Sequence, residues 1–268
     1  VGIWLLVWWN GRKLRARAKQ LVEKVRAATA EIREQKQHME EKQKEIIDSI
    51  RYAKHLQQAI LPPVELLQKH LPNGFVIYQP KDIVAGDFYW VEVIDNIIFV
   101  AVADCTGHGV PGAMCSVVCS SAIKRAIKEF NLRDTGKILD KVTDLVLETF
   151  EKSKEQIEDG MDISFLAYDK TNRQIQWSGA NNPLWYIHNS AHDKTSRQII
   201  KIEADKQPIG KFDIRKPFTT HNIELPPAES DTQTIFYLFT DGFPDQFGGP
   251  KGKKFMYKRF EDNLTNIY

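Results

Sequence analysis

The 268-residue sequence predicts an α+β fold, in which a long helix precedes a layered domain of antiparallel sheets and helices. Three observations predict this class. Residues 12–61 contain neither proline nor glycine and repeat apolar side chains at helical spacing. From residue 75 the pattern changes to short runs rich in β-branched and aromatic residues. Helical stretches then come as a pair instead of alternating with strands, which argues against a doubly wound parallel sheet.

The overall charge and the cysteine content exclude several classes of protein. The chain carries 37 basic and 35 acidic residues, a net charge of +2, and shows no basic stripe with interleaved aromatics. We therefore expect no nucleic-acid partner, and a metal-dependent nuclease is disfavoured. Cys105, Cys115 and Cys119 are an odd number without zinc-binding spacing. We expect a reducing compartment and small, buried cysteine side chains.

The first residues combine an apolar run with tryptophans and a following basic cluster. The run Ile3–Trp9 is far shorter than the ~20 residues that span a bilayer. Tryptophans followed by basic residues from Arg12 onward are typical of the cytoplasmic exit of a membrane helix. We interpret residues 1–11 as the tail of a transmembrane segment that tethers the rest of the chain, in the cytoplasm, to the cell membrane. The alternative is an amphipathic terminal helix with a solvated basic face.

Residues 12–61 are predicted to form one coiled-coil helix, about 75 Å long at 1.5 Å per residue. Apolar residues follow the alternating four-and-three spacing of a heptad seam, at Leu14, Ala18, Leu21, Val25, Ala28, Ile32, Met39, Ile46, Ala53, Leu56 and Ile60. Polar residues at 35, 42 and 49 interrupt the seam and could leave it adjustable. The apolar seam needs a partner, most simply a second copy of the helix in a parallel homodimer. The alternative is a single helix that is solvated on all sides. Pro62 and Pro63 end the helix.

The remaining chain, residues 62–268, is predicted to form one domain. Asp95 and Asn96 are typical of a tight hairpin turn between two strands. Strands are predicted at residues 75–78, 87–94, 97–103, 164–169, 174–178, 184–188, 198–203, 218–225 and 234–239. Helices are predicted at residues 112–130 and 135–154, and from residue 257 toward the end.

Three acids interrupt or end apolar runs beside a glycine. They are Asp87 in AGDFYW, Asp104 in FVAVADCTGHG and Asp241 in IFYLFTDGF. An apolar strand fixes the position of the carboxylate, and glycine lets backbone and ligand approach closely. We therefore predict one site for hard metal ions, assembled from distant segments. The structural alternatives are a turn carboxylate at Asp87, a helix N-cap at Asp104 and a plain Asp-Gly turn at Asp241.

The order of the motifs resembles that of a known family. GDFYW, ADCTGHGVPGAM, GMDISF, SGANNPL, PIG and FTDGFPDQFGG follow one another as in PPM-type metal-dependent protein phosphatases, in the bacterial stage II sporulation protein E branch. The resemblance runs from about residue 47 to the end of the chain. It implies a sandwich of two antiparallel β-sheets flanked by helices, with two Mn²⁺ or Mg²⁺ ions at one end.

The resemblance also implies the roles of particular residues. Asp104 would bridge both ions, Asp87 and the backbone carbonyl of Cys105 would be ligands, and Asp241 would complete the second site. Asp162 is either a further ligand or a loop acid. Hard divalent ions prefer these oxygen ligands, and no His/Cys cluster is spaced for zinc. No nucleophilic side chain is required, because paired ions can activate a water.

The resemblance implies a phosphoserine/phosphothreonine protein phosphatase that is the output domain of a bacterial membrane sensor. Its substrate would be a phosphorylated anti-sigma-factor antagonist of the STAS-domain type. Residues 49–63 would pass a change in dimer geometry to the metal site. Family members carry a further C-terminal strand with an Asp-Asp pair, which this sequence lacks, so we expect a C-terminally truncated domain. That departure motivates the alternative, a catalytically impaired module for phosphoprotein binding or dimerisation.

Overall fold

The computed structural model describes residues 2–151, 158–190, 198–227, 229–250 and 252–266. By its internal contacts the chain divides into two units, residues 1–52 and 53–268. The predicted domain boundaries after residues 11 and 61 stay predictions.

The described part of the first unit is the stretch of helix α1 (Gly2–Gln58) up to Tyr52, and the remaining residues of the helix belong to the second unit. The helix begins ten residues before the predicted start, since Gly2 and Gly11 do not interrupt it. Seam residues Leu14, Leu21, Val25, Ile32, Met39 and Ile46 are all at least 57% exposed. Near the start, the Arg12 guanidinium lies 4.8 Å from the centre of the Trp8 ring. Within the described ranges, no helix combines the length and the apolar character needed to cross a membrane.

The second unit contains ten strands and four further helices in its described residues. The helices are α2 (Val64–His70), α3 (Gly109–Lys128), α4 (Thr135–Glu151) and α5 (Tyr257–Asn266). The longer strands are β1 (Phe88–Ile94), β2 (Ile97–Cys105), β3 (Met161–Asp169), β4 (Gln174–Ala180), β5 (Leu184–Ser190) and β8 (Thr232–Tyr237). The short ones are β6 (Ile200–Ile202), β7 (His221–Ile223), β9 (Phe247–Gly248) and β10 (Lys253–Lys254).

These strands form two main antiparallel sheets. The five-stranded sheet has the order β1-β2-β3-β4-β7, the three-stranded sheet has the order β6-β5-β8, and β9 pairs with β10. Every strand pair is antiparallel. Asp95 and Asn96 have φ angles of 51° and 66°, so the predicted tight hairpin turn joins β1 to β2.

Alternating side chains place the elements in layers. Phe165 of β3 lies in the core that the five-stranded sheet forms with α3 and α4, while its neighbour Leu166 lies in the core between the sheets. In β5, Leu184 faces that inter-sheet core, whereas Trp185 packs against Phe260 of α5. The predicted sandwich of two antiparallel sheets flanked by helices is confirmed.

The prediction of a strand at residues 75–78 is wrong. Phe75 is 76% exposed, and the segment forms no β-ladder within the described parts of the chain. Its alternating apolar residues satisfy the strand pattern, but a strand also needs a neighbour with which to exchange backbone hydrogen bonds. Helix α2 and the small β9–β10 pair were not predicted, and residues 218–225 contain only the three-residue β7.

The stacked aromatic rings in the larger core provide a test of the fold. Phe165 is fully buried, with its ring centre 6.0 Å from that of Phe99 and 6.5 Å from that of Trp90. We expect Phe165→Ala to lower the free energy of unfolding by about 3–5 kcal/mol, because it leaves a cavity that the sheet and helices fill only in part. Urea denaturation measures the change.

The matched control is Phe75→Ala, which removes the same side chain from an exposed segment. It should change the free energy of unfolding by less than about 0.5 kcal/mol. Equal losses for the two variants would contradict the layer arrangement.

Candidate metal centre

Two of the predicted acids lie side by side at the end of the five-stranded sheet. Asp104 and Asp162 are directly paired across β2 and β3. Both are half-buried, in contrast to the buried residues on either side of Asp104 in β2. The antiparallel register thus brings together two carboxylates that are 58 positions apart in the sequence.

Asp87 and Asp241 reach the same place from two other segments. Asp87 immediately precedes β1, whose first residue pairs with Ala103 of β2. The Thr240 hydroxyl donates a hydrogen bond to Asp87 Oδ2 at 3.0 Å, so the loop after β8 is held against the start of β1. The neighbour of Thr240, Asp241, is exposed to solvent. The centre is therefore open on the Asp241 side.

Electrostatic interactions show that the acids form one cluster. The pKa of Asp104 is raised to about 8, chiefly by burial, then by a hydrogen bond with Asp87 and by repulsion from Asp87, Asp241 and Asp162. Although Asp241 is exposed as a residue, its carboxyl group is partly buried, and its pKa is raised first by this burial and then by repulsion from Asp245 and Asp87. Asp104 also shares a hydrogen bond with Asp241. Asp104 is thus in contact with an acid on each side.

Asp162 has a different environment within the cluster. Burial raises its pKa, and repulsion from Asp241 adds to this effect. The amide of Asn181 opposes the shift, because its Nδ2 donates a hydrogen bond to Asp162 Oδ1 at 2.8 Å. Asn181 follows β4 and has a φ angle of 56°, as expected for a turn residue. Sequence reasoning missed the contact of Asn181 with Asp162.

Glycines allow the backbone segments around the cluster to touch. A Cβ atom at Gly86 would lie 2.8 Å from the carbonyl oxygen of Gly107 and 2.9 Å from that of Cys105. A Cβ atom at Gly112 would lie 2.5 Å from the Gly107 carbonyl oxygen. Either side chain would force these segments apart. The Cys105 carbonyl is thereby held beside the residue that precedes Asp87.

The last turn of α1 supports the same loop through Gln57. The NH₂ group of its buried amide donates hydrogen bonds to the Ala85 carbonyl at 2.6 Å and to Ser116 Oγ of α3 at 3.0 Å. The amide oxygen accepts a hydrogen bond from the Ala85 backbone N–H at 3.2 Å. Sequence reasoning missed this residue, because a second glutamine follows it and nothing in the pattern distinguishes the two.

The structure thus brings Asp87, Asp104, Asp162 and Asp241 to one end of the sandwich. The Cys105 side chain is buried in the core, while its carbonyl lies at the glycine contact. His108, which precedes α3, is exposed and lies 3.5 Å from an Asp82 oxygen. Asp104 does not cap α3, because His108 occupies the N-cap position.

A sandwich of two antiparallel sheets flanked by helices, with a group of acids at one end, is the arrangement that the resemblance to PPM-type (PP2C) protein phosphatases implies. The family model for stage II sporulation protein E (SpoIIE) matches residues 95–266, which is more than half of the chain. The chain belongs to the SpoIIE family. The resemblance inferred from the motifs is therefore confirmed.

Solved structures support this assignment. The SiaA-PP2C domain of Pseudomonas aeruginosa is 31% identical, with a TM-score of 0.69 over 84% of this chain and 83% of that one. Two more distant structures show the fold alone. The PP2C phosphatase domain with a regulatory fragment of SpoIIE from Bacillus subtilis is 15% identical, with a TM-score of 0.50 over 69% of this chain and 48% of that one. The RsbU and RsbW domains of Rv1364c from Mycobacterium tuberculosis are 18% identical, with a TM-score of 0.51 over 71% and 48%. No curated protein sequence matches the chain significantly.

Proposed function

We propose that the chain is a metal-dependent phosphoserine/phosphothreonine protein phosphatase. One observation carries the proposal: Asp87, Asp104 and Asp241, from three distant segments, converge at one end of a PP2C fold. Membership of the SpoIIE family supports phosphatase activity in general. The metal requirement, the ligands and the signalling role are inferred from the arrangement of these side chains.

The donor atoms of the centre fit two hard divalent ions. Carboxylate and carbonyl oxygens are the ligands that Mg²⁺ and Mn²⁺ prefer. The four acids repel one another, and Lys254 is the cation that opposes the raised pKa of Asp241. Cations at this place would remove the repulsion. Asp104 contacts both Asp87 and Asp241, so it is the residue that could serve two ions at once.

Each side chain has a definite part in this scheme. Asp104 would bridge the ions, Asp87 and the Cys105 carbonyl would hold one, and Asp241 would hold the other. Thr240 orients Asp87, and Asn181 orients Asp162, which we assign as a further ligand. When bound, the pair of ions supplies a water of lowered pKa and a clamp for the phosphate oxygens during in-line attack.

The contacts of Gln57 support a signalling role for α1. Its amide joins the end of this helix to Ala85, two residues before Asp87, and to Ser116 of α3. A shift of the last turn of α1 would therefore move the segment that carries Asp87. We propose that residues 49–63 transmit a signal to the centre in this way.

The exposed seam of α1 supports a parallel homodimer. Apolar side chains repeat at heptad spacing over more than four heptads, from Leu14 to Ile46, and have no partner within the first unit as described. A second copy of the helix would cover these side chains by knobs-into-holes packing.

The proposed substrate is a phosphorylated protein, with a STAS-domain anti-sigma-factor antagonist as the type that the family resemblance suggests. Membrane attachment through residues 1–11 stays a prediction, and the binding-only alternative is not favoured.

The bridging role of Asp104 is tested by Asp104→Asn. We expect the variant to hydrolyse p-nitrophenyl phosphate at least about 100-fold more slowly at saturating Mn²⁺, because a neutral amide cannot bridge two cations. EDTA should abolish the activity of the unaltered chain. Steady-state rates measured against Mn²⁺ concentration provide the comparison.

The control is Asp213→Asn, which changes the same group at an exposed position. It should keep full activity. In the absence of metal, the melting temperature of Asp104→Asn should be no lower than that of the unaltered chain, because the substitution removes one of the charges that repel one another. Undiminished activity of Asp104→Asn would contradict the two-ion mechanism. Binding of a phosphopeptide without hydrolysis by the unaltered chain would favour the binding module.

The role of Gln57 is tested by Gln57→Ala, with Gln58→Ala as control because Gln58 is the exposed neighbour. Loss of three hydrogen bonds should raise the Mn²⁺ concentration needed for half-maximal activity roughly tenfold, as for other residues that orient metal ligands. Gln57→Glu keeps the acceptor and loses the donors, so it should be intermediate. Equal Mn²⁺ dependence in Gln57→Ala and Gln58→Ala would contradict the proposed transmission.

The dimer is tested by the double variant Leu21→Lys, Ile32→Lys. Two lysines on the seam should convert the dimer to a monomer, because their charges cannot be buried between the helices. Light scattering coupled to size-exclusion chromatography measures the mass. Ala30→Lys, which lies between the two altered positions but on the side of the helix opposite the seam, should leave the dimer intact. A monomeric unaltered chain would contradict the proposal.

A further inference from the structure

The three cysteines of the chain meet in the core, behind the acidic cluster. Cys105 ends β2, and Cys115 and Cys119 lie one turn apart in α3. All three are buried and free, and their sulfur atoms lie within 4.8 Å of one another. The Sγ atoms of Cys115 and Cys119 are 3.9 Å apart. The 268-residue sequence contains no other cysteine, so this cluster holds every thiol of that sequence.

The thiol cluster differs from the acidic centre in position and in chemistry. Successive side chains of a strand point to opposite faces, so Asp104 and Cys105 point away from each other at the end of β2. The sulfur atoms are surrounded by apolar core residues, and among the described residues no histidine or carboxylate belongs to the sulfur group. Thiolates prefer soft cations, whereas carboxylates prefer Mg²⁺ and Mn²⁺.

We propose that Cys105, Cys115 and Cys119 form a three-sulfur site for a soft, thiophilic cation of the copper(I) class. The site shares Cys105 with the phosphatase centre, but it uses the sulfur atom of this residue whereas the centre uses its backbone carbonyl, so the two sites have no donor atom in common. Each cysteine that coordinates the ion releases its thiol proton to solvent, so uptake of one cation releases up to three protons.

The number of donors favours an ion that accepts three ligands. Structural zinc is almost always bound by four. The carbonyl oxygen of Gly160 accepts two hydrogen bonds, one from the Cys115 thiol at 3.3 Å and one from the Thr106 backbone N–H at 3.0 Å. It is therefore engaged in holding the loop after β2. Three sulfur atoms from one strand and one helix face remain, which is a donor set that copper(I) accepts and zinc does not complete.

An ion at this place would join β2 directly to α3. The segment between them, residues 106–108, follows the carbonyl that we assign to the metal centre and includes the glycine that contacts Gly86. Binding would stabilise the folded chain by mass action, since the unfolded chain does not hold the three sulfurs together. At a free ion concentration about 100-fold above the dissociation constant, the melting temperature should rise by roughly 5–10 °C.

The experiment titrates the full chain with copper(I) without oxygen, against a chromophoric copper(I) chelator. We expect one ion bound per chain, an ultraviolet thiolate-to-copper absorption, and three sulfur neighbours by X-ray absorption spectroscopy. Because the site is buried, a second sample is refolded from urea with copper(I) present. No binding in either sample, or coordination by nitrogen and oxygen, would overturn the proposal and leave three free thiols.

Variants separate this site from the phosphatase centre. Cys115→Ser and Cys119→Ser should each lower copper(I) affinity at least about 100-fold. Cys119→Ala should lower copper(I) affinity to the same extent, and it replaces Cys119→Ser in the experiment if the serine variant does not fold. Asp104→Asn should bind copper(I) unchanged while losing Mn²⁺-dependent activity. If the cysteine variants bound copper(I) as tightly as the unaltered chain, the proposed ligands would be wrong. Four-coordinate zinc bound more tightly than copper(I) would also contradict the proposal.

Discussion

Repulsion between carboxylates held close together is the constraint on which the centre depends. Asp104 and Asp162 are fixed by the register of β2 and β3, and neither can withdraw without breaking the hydrogen bonds of the sheet. Repulsion within the cluster contributes, with burial, to the pKa of about 8 at Asp104. The rigid sheet therefore holds the carboxylates close together, whereas in an unconstrained chain their repulsion would drive them apart. Cations are the partners that such an arrangement accommodates, and this preorganisation distinguishes the centre from acids on a surface.

The end of β2 combines two chemical environments within two residues. The Asp104 side chain meets oxygen donors at a site open to solvent, and the Cys105 side chain meets sulfur atoms in the apolar core. The pleat of the strand separates them completely. The α3 helix takes part in both, because its first turn contacts the glycine loop and its second and third turns carry the other thiols. Movement of α3 would therefore affect the hard and the soft donors together.

The sequence predicted the elements whose signals are local and the acids that end apolar runs. The Asp95-Asn96 turn, the pair α3 and α4, and most strands follow from pattern alone. Residues 75–78 show why pattern is insufficient, because a strand also requires a neighbour. The role of Gln57 could not be predicted, since its three hydrogen bonds join it to two residues that lie 28 and 59 positions away, and its exposed neighbour Gln58 is chemically identical. The contact between Asn181 and Asp162 likewise depends on the pairing of distant strands.

The contacts at Gly86 and Gly112 have a consequence for inherited variation in this protein. A Cβ atom at either position would collide with carbonyl oxygens of the main chain. Side-chain collisions can often be relieved by a compensating replacement of the neighbour, but main-chain oxygen is present whatever residue is encoded there. A substitution at either glycine therefore has no simple second-site suppressor. A genetic screen for revertants should yield mutations that restore the glycine itself.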